Sequence, residues 1–147
     1  CDHNTFEGET AMLLETVAMN GKCLSRYKVM WTQNTVDPKS LIRQILVDID
    51  HHVPLERIAY KFHNWLADVI YEVADQHKIK KIAFSGGVFQ NTLLISLIEE
   101  RLNPNIELYL NKELSPSDEN ISLGQLAYAS IAKRKELEES EHSENYH

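Results

Sequence analysis

Two adjacent glycines in the stretch FSGGVFQN, Phe84 to Asn91, stand where a short apolar run gives way to a helical pattern. Glycine reaches backbone angles barred to other residues and lets a ligand approach the main chain. A helix start adds unpaired N–H groups with partial positive charge. So placed, Gly86 and Gly87 could form an anion cradle of the kind that holds a phosphate. The stretch is neither a P-loop, which carries a Lys-Ser/Thr pair, nor a G-x-G-x-x-G dinucleotide fingerprint. A tight strand-to-helix turn without any ligand would use the same two glycines.

Asp118, in LSPSDENISLGQ, also admits two uses. An aspartate after a proline turn and before a helix is a natural N-cap. The same carboxylate could face a metal ion or a phosphate-bound cation at a sheet edge. Gly124, inside the helix that follows, costs up to ~1 kcal/mol relative to Ala and suggests close packing there. His51 and His52 are adjacent, about 100° apart on a helix, and are poor joint ligands, so a solvated helix end suits them. His63 borders an apolar face, where a hydrogen-bonded, half-buried imidazole is the default. No H-x-x-x-H pair or Ser-His-Asp spacing is present, and no catalytic residue is nominated.

The elements that must position these residues follow from periodicity. Ala11, Leu14 and Ala18 fall at helical spacing from Glu7 onward, and Asn20-Gly21 is a stop signal. YKVMW, Tyr27 to Trp31, alternates as a half-buried strand does. Asp37 then Pro38 is an N-cap followed by N1, with Leu41, Ile42, Ile45, Leu46 and Ile49 as the stripe of the next helix. Pro54 opens a longer helix with Leu55, Ile58, Ala59, Phe62, Leu66, Val69 and Val73 on one face. Lys61, Asn64, Asp68, Glu72 and Asp75 are expected on the opposite, solvated face. KIKKIAF ends a strand at Phe84, Leu93 to Leu102 reads as a helix ended by NPN, and Ile106 to Leu110 reads as a second strand. Strand, helix, strand implies a right-handed crossover in a parallel sheet. A last helix runs from about Asp118 through Ile131, and the charged stretch 133–147 reads as frayed or disordered.

Composition narrows the function classes. The 147 residues suit one domain, and 15 Lys+Arg against 22 Asp+Glu give a net charge of −7. That balance argues against a nucleic-acid or membrane-surface binder, both of which need a positive face. Cys1 and Cys23 form no C-x-x-C pair and read as reduced thiols of a cytoplasmic protein. No apolar run approaches the ~20 residues that span a bilayer. The start, CDHNTFEGET, lacks both an initiator Met and a signal-peptide pattern and reads as a cut from a longer polypeptide.

Four ordered blocks carry a more specific resemblance: FEGETAMLLE, IAYKFHNWLADVI, FSGGVFQNTLL and LSPSDENISLGQLAYA. Together, over residues 6–132, they resemble the C-terminal part of the HypF family, the carbamoyltransferases of NiFe-hydrogenase maturation. The resemblance implies an α/β fold, the helix-rich second lobe of an actin, sugar-kinase and Hsp70-like ATPase, with a short, largely parallel sheet. It implies ATP and carbamoyl-adenylate as ligands, with Gly86, Gly87 and Asn91 in the nucleotide cradle and Glu7 with Gly8 near the adenosine or ribose. It places Asp118 where the family has a metal-ligand aspartate, the metal being zinc or iron and its other ligands lying outside this chain. The implied partners are HypE, whose C-terminal cysteine accepts the carbamoyl group, and the N-terminal domains of the same polypeptide.

The chain departs from the family in one place that matters. Glu119 and Asn120 stand where two glycines usually follow the aspartate. The acylphosphatase-like, zinc-finger and adenylate-forming segments and the paired metal histidines are not in this stretch, so activity is expected of the intact protein and not of this piece. Two alternatives remain: a different nucleotide-dependent transferase or kinase of the same superfamily, or a non-catalytic interaction module that has lost the site.

Overall fold

Helix α3, Leu55–Gln76, is 22 residues long and organises the first part of the chain. The computed structural model describes residues 4–102, 106–111 and 118–144. They fall into two compact units, Cys1–Ala83 with Asn91–Tyr109 and Phe84–Gln90 with Leu110–His147.

In the first unit the elements are α1 (Glu9–Met19), a hairpin of β1 (Trp31–Thr32) and β2 (Thr35–Val36), α2 (Pro38–Asp50), α3, β3 (Lys81–Ala83), α4 (Thr92–Arg101) and β4 (Glu107–Tyr109). α2 begins as its sequence dictates. The Asp37 carboxylate accepts from the Lys39 amide at 3.0 Å, and Pro38 takes the first helical position. β3 and β4 run parallel with Ile82 opposite Leu108, and the facing pair Lys81 and Glu107 is bridged at 3.2 Å.

α3 packs against α1, α2 and α4, so it is buried nearly all round. This corrects the expected two-faced helix: Lys61, Asn64 and Asp68 lie inside, and Leu55 is exposed. Burial of such groups demands partners. Lys61 pairs with Asp48 of α2, the Asn64 amide donates to the Tyr60 carbonyl at 3.2 Å, and Asp68 meets two arginines. Trp65, one turn beyond Lys61, packs with Tyr27 and Leu41, flanked by Val29, Val36, Ile45, Phe62, Leu66 and Val69. Each large apolar side chain buried there contributes roughly 1.5–3 kcal/mol.

Tyr27–Trp31 alternates in burial as a strand does, but only Trp31 enters a ladder. The backbone of Lys28 bonds instead to a side chain. Its N–H donates to Gln44 Oε1 at 2.8 Å, and its carbonyl accepts from Gln44 Nε2 at 3.0 Å. A primary amide carries the same donor and acceptor as a peptide unit, so Gln44 stands in for a neighbouring strand. At the end of α1, Gly21 is needed for close approach. A Cβ there would lie 1.8 Å from the Glu56 carbonyl oxygen in the first turn of α3.

The second unit contains a 3₁₀ turn at Gly87–Gln90, another at Asp118–Asn120, and α5 (Ile121–Glu144). Helical backbone reaches Glu144, within the charged stretch, whose Lys, Arg and Glu are good helix formers. Gly124 faces open space, with nothing within 4 Å of a built Cβ, so the expected close packing is not found there among the described residues. The breaks expected at NPN and at the proline turn lie outside the described residues. Among the described residues no helix is long and apolar enough to cross a membrane.

Candidate functional site

The two glycines after β3 differ in what the backbone asks of them. Gly86 has φ +101°, a conformation that residues with a Cβ rarely adopt. Gly87 does not need that freedom. Among the described residues a Cβ built on it would meet nothing within 4 Å, so the main chain is open to approach at this point. The turn is closed by the Phe89 amide donating to the Gly86 carbonyl at 3.1 Å. The rings of Phe84 and Phe89, 4.5 Å apart, brace it from the side.

α4 does not follow the glycines directly, although the sequence pattern places a helix start there. The 3₁₀ turn intervenes, and the Leu93 and Leu94 amides of α4 bond to side chains. Asn91 Oδ1 accepts from the Leu94 amide at 2.7 Å. Glu15 of α1 accepts from the Leu93 amide at 3.1 Å and from the Thr92 hydroxyl at 2.9 Å. A carboxylate of the chain itself therefore holds the position where a phosphate would sit on that helix end.

Asn91 is used at both ends of its amide. With Oδ1 on the cap, its NH2 faces His63 Nε2 at 3.0 Å. The imidazole accepts there and carries its proton on Nδ1, which donates to the Ala59 carbonyl at 2.8 Å. His63 is 2% exposed and stands edge-on to Phe62, a fully bonded core histidine. His51 and His52 are exposed at the end of α2.

Gly8 has φ +85° and caps α1 through its carbonyl, which accepts from the Met12 amide at 3.0 Å. Glu7 beside it is exposed. Asp118 is exposed and begins its 3₁₀ turn, with α5 starting three residues later at Ile121. Glu7, Gly8 and Asn91 belong to the first unit, and Gly86, Gly87 and Asp118 to the second. Among the described residues no three His, Cys, Asp or Glu side chains are grouped to hold a metal. One carboxylate does not by itself hold a divalent ion. Glu15 was not singled out in the sequence, because its partners lie 77 and 78 residues away.

A glycine-opened turn after a parallel strand defines a class before it defines a protein. Residues 1–125 match the family described as carbamoyltransferase, Kae1-like domain, second subdomain. The carbamoyltransferase HypF of Synechocystis sp. is 35% identical over 127 residues, 83% of this chain and 16% of the relative. The crystal structure of T. kodakarensis HypF matches with a TM-score of 0.66 at 30% identity, over 79% of this chain and 16% of that one. A full-length HypF crystallised in its phosphate- and nucleotide-bound form matches with a TM-score of 0.67 at 30% identity, over 85% of this chain and 17% of that one. The chain belongs to the HypF carbamoyltransferase family and corresponds to its C-terminal region. It spans about one-sixth of the length of these relatives. Its fold is the helix-rich α/β lobe, with a short parallel sheet, of the actin, sugar-kinase and Hsp70-like ATPases.

Proposed function

We propose that residues 1–132 form the C-terminal part of a domain that moves a carbamoyl group from carbamoyl-adenylate to the C-terminal cysteine of HypE in NiFe-hydrogenase maturation, with 133–147 a charged extension. Carbamoyl phosphate and ATP supply the adenylate in other domains of the same cytoplasmic polypeptide. The acceptor thiolate attacks the carbamoyl carbon, its bond to the adenylate oxygen breaks, and AMP leaves with the electron pair on phosphate. In this chain the amides of the Gly86-Gly87 turn carry the phosphate, where no side chain intervenes and N–H dipoles offset the growing negative charge. Asn91 serves that cradle by fixing the start of α4, and Glu7 with Gly8 lies toward the adenosine or ribose. Asp118 supplies one ligand to a zinc or iron ion, and the remaining ligands lie outside this chain.

The open approach at Gly87 carries this reading. In the full-length protein Gly87→Val is expected to fold normally, because none of the described residues lies within 4 Å of the added carbon. ATP affinity at this domain's own site should fall at least ~10-fold, about 1.4 kcal/mol, as the side chain fills the ligand's space, while the ATP site of the adenylate-forming domain is unchanged. Unchanged affinity by calorimetry reduces the glycines to a turn and favours the interaction module that Glu119-Asn120 also suggests.

Asp118→Asn tests the second assignment. Asn caps a helix about as well as Asp but brings no charge to a cation. The full-length variant should keep its Tm within about 2–4 °C while losing bound metal and most transfer to the acceptor thiol. Formation of carbamoyl-adenylate should persist. Normal metal content with full acceptor carbamoylation would remove Asp118 from the site.

A further inference from the structure

Asp68, inside the first unit, carries more positive charge than it needs. It is 5% exposed, and a single oxygen, Oδ1, receives Arg26 Nη1 at 3.0 Å and Arg101 Nε at 2.6 Å. One arginine suffices to neutralise a buried carboxylate. The second leaves a net +1 on three side chains in a chain whose overall charge is −7. Each guanidinium has five N–H donors, more than the bond of Arg26 Nη1 or of Arg101 Nε to Asp68 uses. Both arginine side chains are about two-fifths exposed, so their other donors can reach a ligand from solvent.

The groups are also held in place. Arg26 comes from the segment after α1 and Arg101 from the last turn of α4, and the shared oxygen draws both guanidiniums to one point. Arg101 lies over the Tyr71 ring at 4.7 Å, which fixes the plane of its fork. Tyr71 in turn lines a cleft of about 530 Å³ with Lys78, Ile79, Lys80 and Ile106, at the amino ends of β3 and β4. That is the opposite end of β3 from the glycine turn.

We propose that Arg26 and Arg101, anchored by Asp68, form an oxyanion site for the phosphoryl group of a small molecule whose remainder occupies the cleft beyond Tyr71. A tetrahedral dianion presents three or four oxygens and accepts from both forks at once, whereas a lone carboxylate has two. Lys78 and Lys80 add further positive charge along the cleft wall, with Asp75 bonded to Lys78 at 3.3 Å. The site is independent of the nucleotide reading given above.

Inorganic phosphate is titrated into the full-length protein at fixed ionic strength, and sites are counted by calorimetry. Arg26→Gln keeps the Asp68–Arg101 bond, so the fold is retained. It is expected to lose one phosphate site or weaken it at least 10-fold. Arg26→Lys preserves the charge without the planar fork and should weaken the same site several-fold, with sulfate competing in the parent protein. ATP affinity should match the parent in both variants, which separates this outcome from failure of the glycine cradle. Phosphate sites equal in number and affinity in parent, Arg26→Gln and Arg26→Lys would overturn the proposal.

Discussion

Asp48→Asn is expected to lower the unfolding free energy by about 3–5 kcal/mol, although the new side chain has nearly the old shape. Lys61, on α3, keeps 11% of its side chain exposed and Asp48 keeps 16%, so the ammonium loses its counter-charge inside the protein. Tyr27 shares the same carboxylate, donating from its hydroxyl at 2.7 Å, and the Lys61 ammonium lies 4.2 Å from the centre of the Tyr27 ring. Urea unfolding measures the loss, and a change under ~1 kcal/mol would show the pair to be solvated. Replacing all three polar groups, Lys61→Met with Asp48→Leu and Tyr27→Phe, should recover most of it, since a well-packed apolar cluster removes the desolvation costs together and leaves no buried donor unpaired.

The trio also sets a pH window. Burial pushes the Asp48 carboxyl upward, but hydrogen bonds from Lys61 and Tyr27 outweigh it and leave the group below its ordinary value. Stability from a depressed carboxyl is present above its unfolded pKa of about 3.9 and is lost as pH falls through the folded value. Burial of the Tyr27 hydroxyl, then its bond to Asp48 and the negative charge there, raise the phenol well above its ordinary value. Its contribution is complete below about pH 10 and is lost as pH rises through the folded value. The urea midpoint should therefore fall at both extremes. In Tyr27→Phe the alkaline fall should shrink, and an unaltered alkaline limb would exclude Tyr27 as its source.

Gly21→Ala should cost at least ~3 kcal/mol, the upper end of what overpacking does. The added carbon would overlap backbone, the Glu56 carbonyl carbon at 2.1 Å and the Arg57 nitrogen at 2.7 Å, and backbone inside a helix cannot rotate aside. The end of α1 and the start of α3 must separate. Thermal unfolding of the variant reads this directly, and a Tm within 2 °C of the parent would mean the two segments part freely. Gly124→Ala is the matched control, since open space surrounds that position.

The reasons some features were legible in the sequence and others were not differ in kind. Asp37-Pro38 announced α2 because a cap and its helix are neighbours in the chain. The glycine pair was legible because few residues tolerate what Gly86 does. Periodicity found α3 but misplaced Lys61, Asn64 and Asp68, for it reports where apolar side chains recur and is blind to polar groups buried with partners from other elements. Tyr27–Trp31 showed the alternation of a strand, which reports burial, while the bonds of Lys28 come from a glutamine 16 residues on. Asn91 was assigned to the cradle from resemblance, and its amide turns out to join the α4 cap to His63. The occupied end of α4 had no local signal, since Glu15 is an ordinary helix carboxylate until α4 lies beside it.

That last contact has a cost in time. On a ribosome adding about 5–20 residues per second, the 77 residues between Glu15 and Thr92 take roughly 4–15 s to make. Helix formation itself takes about a microsecond or less. α1 must therefore wait through most of the synthesis of this region before the helix start it completes has been translated. α1 packs on α3, which is translated before Thr92, so that pair can form first. The Glu15 cap is a closing step that joins the first helix to one of the last, and a nascent chain stalled before residue 92 lacks it.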